Sequence, residues 1–209
     1  RKEYFEAKAG PEIKKLKEQN AALQKKLIQF DEMKRENEAL RSQFEIESRA
    51  QEDLTPARVV GSRGALDAPH TLIIDKGKQD GIKNGATVVV GNNLVGVIGN
   101  VGEQYSEVKL VNNPEFTTIG LTNEKKSRGI VKGVDDFIIL DRVVITDAVK
   151  NKDLVISRGD VKTDGTGVKP DLIIGKITDV NKNESDPFQT ARIDSQLKFG
   201  DLTYVFIFN

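Results

Sequence analysis

Few side chains in this sequence could do catalytic chemistry, and the first to consider is the lone histidine, His70. A nucleophilic triad would require this imidazole to lie beside a serine and an acid. The serines available for that role are Ser62, Ser106, Ser157 and Ser195. None of them lies in a nucleophile-elbow pattern. Because His70 opens an apolar run, we expect it at the edge of a strand, as an ordinary loop residue.

The acidic pair Asp135-Asp136 has the residue types for acid–base catalysis. Its position between two apolar runs is explained more simply by a hairpin turn. The chain has no cysteine, so with a single histidine a metal site would need carboxylates alone. We therefore predict no catalytic residue, no metal site and no cofactor.

Two further motifs give weak functional signals. Arg158-Gly159-Asp160 is the tripeptide of integrin ligands, but three residues recur by chance and Gly-Asp is common at turns. The glycine-rich segment from Gly91 to Gly102 does not open a helix, so it lacks the context that cradles a phosphate. Neither motif changes the prediction of a protein without catalytic chemistry.

The charges of the chain balance, with 32 basic and 32 acidic residues. A nucleic-acid surface would show a basic excess, so no nucleic-acid partner is predicted. No apolar run approaches the roughly 18 residues that span a bilayer. The chain nevertheless begins at Arg1 rather than Met. We expect it to be the soluble part of a longer protein, with residues 1–10 either a native polar lead or a remnant of cloning.

Residues 11–56 are predicted to form one long helix that pairs with a second copy in a parallel coiled coil. The seam consists of Ile13, Leu16, Asn20, Leu23, Leu27, Phe30, Met33, Asn37, Leu40 and Phe44. After Phe30 two successive spacings of three form a stammer, which overwinds the coil locally. Asn20 and Asn37 both fall at position a, where asparagine fixes register and strand number. The alternative is a single amphipathic helix packed on its own domain, which usually shows a broader apolar stripe.

The composition changes near Thr55-Pro56, and the rest of the chain has the pattern of β structure. Only Gly10 of the 18 glycines precedes this point. Short runs rich in Val, Ile, Leu and Thr predict about twelve strands. The runs are Ala57–Ser62, Thr71–Asp75, Thr87–Val90, Leu94–Val101, Glu107–Val111, Thr117–Leu121, Arg128–Lys132, Phe137–Asp141, Leu154–Ser157, Leu172–Asn181, Gln189–Asp194 and Leu202–Phe208. Closure removes exposed edges, so we predict an all-β body of two small barrels, each of about six strands.

The C-terminal run from Tyr204 to Phe208 is the candidate for partner binding. An exposed edge strand can add to the sheet of another molecule, because its N–H and C=O groups are unpaired. In that reading Tyr204, Phe206 and Phe208 contact the partner. The dense apolar character of the run suits a buried strand equally well, and both readings stay open.

The order of these features resembles the rod shape-determining protein MreC family. The stretches that carry the likeness are Ile74–Gly77, Asp80–Ile82, Gly85–Val89, Leu94–Ile98, Tyr105–Val111 and Lys169–Ile177, preceded by Glu36–Leu40 in the predicted coil. Together they cover nearly the whole chain. The sequence departs from the family pattern at Lys152-Asp153, at Ser157-Arg158-Gly159 and at Asp171. These departures concern local turns rather than the order of the elements.

The resemblance implies a non-enzymatic, membrane-anchored scaffold of the bacterial cell-elongation and peptidoglycan-synthesis machinery. Implied with it are a membrane helix upstream of this sequence, a location at the extracytoplasmic face of the cytoplasmic membrane, and a first barrel built from discontinuous segments. Residues 57–93 and 170–209 are accordingly assigned to one barrel and residues 94–169 to the other. The implied partners are a second copy, MreD, RodA and a class B penicillin-binding protein. A chymotrypsin-like serine protease or pseudoprotease, and a periplasmic adaptor of a secretion system, remain as alternatives.

Overall fold

The structure is a computed structural model, and it describes residues 16–29, 54–65, 68–124, 126–134, 137–183 and 185–208. The chain divides into two units, Arg1–Gln51 and Glu52–Asn209. In the first unit the described residues, 16–29, form one helix, α1. The predicted rod was to continue to residue 56, but its last residues, Leu54–Pro56, belong to a strand that pairs with the C-terminal run. The remainder of the predicted rod, residues 11–15 and 30–53, lies outside the described residues.

The second unit is built from strands, and its described part contains twelve of them. They are β1 Leu54–Gly64, β2 Pro69–Ile74, β3 Thr87–Val90, β4 Asn93–Val101, β5 Ser106–Leu110, β6 Thr117–Thr122, β7 Arg128–Val134, β8 Phe137–Val144, β9 Leu154–Ser157, β10 Ile173–Asn181, β11 Phe188–Asp194 and β12 Tyr204–Phe208. Most alternate between buried and more exposed positions, as strands with one face in a core must. The predicted all-β body is confirmed.

The first group of strands closes into a ring in the order β1, β2, β5, β4, β3, β12 and back to β1, with every pairing antiparallel. Strand β1 pairs with two neighbouring strands, one along each half of its length. Its first half, Leu54 to Arg58, pairs with β12, and its second half, from Val59, pairs with β2 with a register shift between Val59 and Gly61. A bulge of this kind bends the strand, which lets a short sheet curl until its ends meet.

The second group closes in the order β6, β7, β8, β11, β10, β9 and back to β6, again with antiparallel pairing throughout. Three register shifts in its described strands supply the bends: two in β10, after Ile173 and after Ile177, and one in β11 after Gln189. Val131, Leu140 and Val155 are fully buried in the core. The predicted closed six-stranded arrangement is confirmed by these pairings.

The strand pairing differs from the predicted partition of the chain. Strands β4 and β5, predicted within residues 94–169, pair into the first ring, and β10 and β11, predicted within residues 170–209, pair into the second. The reason is local. The two-residue turn at Gly91 (φ 58°) and Asn92 joins β3 to β4 as a hairpin, and a further hairpin joins β10 to β11. Sequential strands joined by tight turns stay adjacent.

The β9–β10 connection, residues 158–172, leaves the second ring, forms hydrogen bonds with the first ring and returns to the second. Its Gly167 N–H donates to the Gly85 carbonyl at 2.8 Å. The Thr87 hydroxyl donates to the Gly167 carbonyl at 2.5 Å and accepts from the Lys169 N–H at 3.0 Å. Beyond the connection, β10 makes a single parallel bridge to β4 between Ile173 and Asn93. The backbone therefore joins the two rings on one side.

Candidate protein-binding surface

The residues considered for catalysis occupy structural positions. The Nδ1 atom of His70 lies 3.3 Å from the Asn112 carbonyl oxygen. Ser157 is fully buried, and its hydroxyl donates to the Lys169 carbonyl at 2.6 Å while accepting from the Leu172 N–H at 3.0 Å. These bonds tie the ends of the β9–β10 connection together and leave Ser157 no access to a substrate.

The remaining serines and acids also have structural roles where they are described. Ser106 is buried, and the Ser195 hydroxyl accepts from the Leu197 N–H at 3.2 Å. Ser62 is exposed and pairs across the strands with Leu72. Asp135 and Asp136 lie outside the described residues. No protease-like constellation is assembled from the serines named here.

Arg158-Gly159-Asp160 lies in a folded segment rather than at a loop tip. The Arg158 N–H donates to the Ile119 carbonyl at 2.9 Å, and Gly159 has a left-handed φ of 88°. The Asp160 Oδ1 atom accepts from the Val168 N–H at 2.5 Å. The carboxylate therefore stabilises the β9–β10 connection and is not presented as an adhesion ligand.

In the described part of the chain, no cluster of three or more histidine, aspartate or glutamate side chains could hold a metal ion. Within the same ranges, no helix is long and apolar enough to span a membrane.

Helix α1 carries the described part of the predicted dimer seam. Leu16, Leu23 and Leu27 are 53%, 63% and 66% exposed, and Asn20 between them is exposed as well. These positions recur every three or four residues and so share one face of the helix. The other predicted seam residues, Ile13, Phe30, Met33, Asn37, Leu40 and Phe44, lie outside the described residues. An apolar stripe exposed to this degree is a surface that can pack against another helix.

The C-terminal strand β12 is not an edge strand, which corrects one of the two readings of the sequence. It lies between β1 and β3 and pairs with both. Closing the first ring requires this position, because no other strand of the described residues links β1 to β3 in the pairing order. The hydrogen-bonding groups of β12 therefore hold its own sheet together. The alternative, a strand with buried side chains, applies to Val205 and Ile207, which are both fully buried.

The three aromatic residues of β12 lie on the outer face of the ring and form a row with side chains of β1. The cross-strand pairs are Arg58 with Tyr204, Pro56 with Phe206 and Leu54 with Phe208. We call these six residues the β1–β12 ladder. Directly opposed side chains on one face are close enough to act as one surface. Tyr204, Leu54 and Phe206 are 57%, 44% and 37% exposed.

Charged groups border the ladder at both ends. The Arg58 guanidinium lies 3.5 Å from Asp75, whose Oδ1 atom also accepts from the Arg58 backbone N–H at 2.7 Å. At the other end the Lys169 ammonium lies 5.4 Å from the centre of the Phe208 ring, within the range of a cation–π contact. Exposed aromatic residues edged by polar groups are typical of protein–protein interfaces.

The sequence reasoning missed a second group of exposed apolar side chains, on the outside of the second ring. These residues are Ile130, Val134, Phe137, Val144 and Phe188. Two cross-strand pairs lie among them, Val134 with Phe137 and Val144 with Phe188. The signal was present in the alternation of β8 and β11, where phenylalanines occupy positions out of phase with the buried residues.

An ion pair on the same outer surface fixes neighbouring strands. The Lys132 ammonium lies 2.7 Å from the Asp141 Oδ2 atom. Partial burial acts to raise the pKa of the Asp141 carboxyl, but the hydrogen bonds from Lys132 and the Arg142 backbone N–H outweigh it. The pKa is therefore lower than its ordinary value. The carboxylate remains charged and links β7 to β8.

A closed β body with exposed aromatic side chains on its outer face defines a β-barrel interaction module. The family model for the barrel core of the rod shape-determining protein MreC matches residues 60–209. The chain therefore belongs to the MreC family of rod shape-determining proteins. No curated protein matches it.

Solved structures share the fold at low sequence identity. MreC from Listeria monocytogenes superposes with a TM-score of 0.72 at 24% identity, covering 92% of each chain. MreC from Pseudomonas aeruginosa gives 0.65 at 20% identity, over 74% of this chain and 98% of that one. A chain from the complex between penicillin-binding protein PBP2 and MreC of Helicobacter pylori gives 0.58 at 12% identity, over 75% and 98%.

Proposed function

We propose that this protein is a non-enzymatic scaffold of the bacterial cell-elongation machinery that binds a class B penicillin-binding protein through the β1–β12 ladder. Membership of the MreC family supports the role in cell shape. The Helicobacter pylori complex supports a penicillin-binding protein as the kind of partner. The observation that carries the choice of surface is the row of exposed aromatic side chains Tyr204 and Phe206 on a strand whose backbone is paired on both sides.

This pairing decides how the partner binds. A strand between two neighbours cannot take up a third, so β12 contacts a partner through its side chains and not by strand addition. Aromatic residues contribute strongly to such interfaces, because they bury a large area at a small entropic cost. Arg58 supplies a guanidinium at the border of the surface, where it orients an acidic group of the partner.

We further propose that two copies pair in parallel through the seam of α1 and its continuation. The exposure of Leu16, Leu23 and Leu27 supports this proposal, because burying such a stripe requires a second apolar surface. Each of the two strand rings is proposed to act as a barrel domain, made of residues 54–110 with 204–208, and of residues 117–194. Two joined copies would present two ladders to their partners.

The remaining parts of the proposal concern location and further partners. One solved relative is described as the major periplasmic domain of the cell shape-determining filament MreC. We place the β body at the extracytoplasmic face of the cytoplasmic membrane, held there by a membrane helix preceding the present sequence. MreD and RodA are proposed as additional partners, through surfaces outside the ladder.

The ladder is tested by substituting its two most prominent aromatic residues. Tyr204→Ser with Phe206→Ser should weaken binding to the extracytoplasmic part of the cognate penicillin-binding protein by roughly 30-fold or more, since a central aromatic contributes about 2 kcal/mol. Biolayer interferometry gives the affinity. The matched control is Val144→Ser with Phe188→Ser, an exposed cross-strand pair on the second ring. Unchanged affinity in the ladder variant, with an unchanged melting temperature, contradicts the proposal.

A further inference from the structure

A separate cavity lies where the chain returns from the second ring to the first. Its volume is about 760 Å³, and residues 192–201 form most of its wall together with Phe137 and Ile138 of β8. Ala68 and Asn112 complete the lining. A volume of this size suits a ligand of a few residues or a small molecule. We call this cavity the return pocket.

The most distinctive group in the return pocket is Arg192. Its guanidinium carbon lies 3.4 Å from the centre of the Phe137 ring, and both side chains are exposed. Stacking on a ring restrains the guanidinium plane while its N–H groups remain available at the edge. Over the described residues, no carboxylate lies within ion-pair distance of Arg192. The structure therefore presents a guanidinium of restrained orientation, whose N–H donors have the geometry that binds a carboxylate.

The charges around the pocket limit what else can bind. Lys198 adds a second cation, while Asp194 and Asp201 add two carboxylates to the same lining. The balance is zero, so a polyanion such as a nucleic acid or polyphosphate would be repelled as much as attracted. A segment with one carboxylate and several backbone N–H groups matches this mixture, since it offers an acceptor to Arg192 and donors to the two acids.

Apolar side chains in the wall add a second requirement. Phe137 is 43% exposed, Leu197 is half-buried, and Phe199 is 8% exposed. A free carboxylate ion would leave this surface uncovered, whereas an apolar side chain beside the acidic one would cover it. The cross-strand neighbour Val134 extends the apolar surface beyond the pocket mouth.

We propose that the return pocket binds a short extended peptide of a partner protein, with an acidic side chain paired to Arg192 and an adjacent apolar side chain packed on Phe137 and Leu197. This site is distinct from the β1–β12 ladder and does not depend on it. The peptide would contact residues 195–201, the segment that leads directly into β12. An occupied pocket would restrain that segment.

The test uses a synthetic probe of defined composition, acetyl-Gly-Leu-Glu-Leu-Gly-amide, and its counterpart with glutamine in place of glutamate. Titration into the ¹⁵N-labelled protein should shift the Arg192 side-chain Nε–H and the backbone amides of Leu197 and Lys198. The glutamine probe and the Arg192→Gln variant should each bind at least about tenfold more weakly, because a charged hydrogen bond contributes about that much. Phe137→Leu should also weaken binding, by releasing the stacked guanidinium.

The controls separate the alternatives. Arg128→Gln, which removes an exposed arginine of β7 outside the pocket lining, should leave probe affinity unchanged. The proposal is overturned if millimolar probe shifts none of these resonances. It is also overturned if acetate at the same concentration reproduces the shifts, or if the shifts follow protein concentration without probe, as they would for a second copy. The ladder variant Tyr204→Ser with Phe206→Ser should retain probe binding, so failure of either site is distinguished from failure of the other.

Discussion

Replacing Thr87 by valine should destabilise the β body, because this residue holds the β9–β10 connection against the first ring. Thr87 is 1% exposed, and its hydroxyl makes two hydrogen bonds, to the Gly167 carbonyl at 2.5 Å and from the Lys169 N–H at 3.0 Å. Valine keeps the shape of the side chain and removes both bonds. The Gly167 carbonyl and the Lys169 N–H then lose their bonds with residue 87.

The size of the effect follows from the burial of those two groups. An unpaired buried donor or acceptor costs about 1–3 kcal/mol. Gly167 and Lys169 are only half-buried, so water partly replaces the lost bonds and the lower end applies. We expect a loss of about 2 kcal/mol in the free energy of unfolding, and a fall in melting temperature of about 4–8 °C for a body of this size.

The measurement pairs urea unfolding with amide hydrogen exchange, and the chain offers a matched control. Thr118 is also buried, at 5% exposure, but its hydroxyl has no hydrogen-bond partner among the residues that the structure describes. Thr118→Val should therefore be neutral or stabilise by up to about 1 kcal/mol. In Thr87→Val the Lys169 amide should exchange faster, while amides of β7 and β8 change less. Equal losses in the two variants, or a Thr87→Val variant as stable as the parent, would refute the reasoning.

Two further predictions concern the helix and pH. Replacing Leu16, Leu23 and Leu27 by serine should convert the expected dimer to a monomer in light scattering, because the exposed seam loses its apolar contacts; a parent that is already monomeric would contradict the proposed pairing. The pKa of Asp141 is lowered in the folded state despite partial burial, chiefly by its hydrogen bond with Lys132. The contribution of this carboxylate to stability is therefore present above its ordinary pKa of 3.8. It is lost as pH falls through the lower pKa of the folded state. Urea unfolding across that range should show a shallower pH dependence in Asp141→Asn, and an identical dependence would count against the ion pair.

The positions of the strands could be predicted from the sequence with little error. The runs Thr87–Val90 and Leu154–Ser157 match β3 and β9 residue for residue. The largest errors have identifiable causes. Pro56 was taken as a break, yet β1 begins at Leu54, since proline opposite Phe206 is tolerated near the start of a strand. Strand β8 extends to Val144 through Arg142, a charged residue with a φ of 54° that follows the predicted run Phe137–Asp141 and interrupts its apolar character.

Ring membership and the orientation of the ladder could not be predicted, for a different reason. A tight turn gives a local signal for neighbours such as β3 and β4, but closure of a ring depends on pairing between distant segments, such as β12 with β1 and β3, which no local pattern encodes. In the run Tyr204–Phe208 every side chain is aliphatic or aromatic, so the period of two is hidden and the inner residues Val205 and Ile207 resemble their outer neighbours. The return pocket likewise joins Phe137 to Arg192 across two strands.

The order in which the strands leave the ribosome or the translocon has a consequence for biogenesis. The second ring uses one continuous stretch, residues 117–194, and can close as soon as that stretch is available. The first ring cannot close at that stage, because β1 to β5 are synthesised early, whereas β12, which pairs with both β1 and β3, follows β5 by more than ninety residues. During that interval β1 and β3 expose unpaired hydrogen-bonding edges. A chaperone that shields these edges, or rapid completion of the chain, would protect the half-made sheet from misassembly.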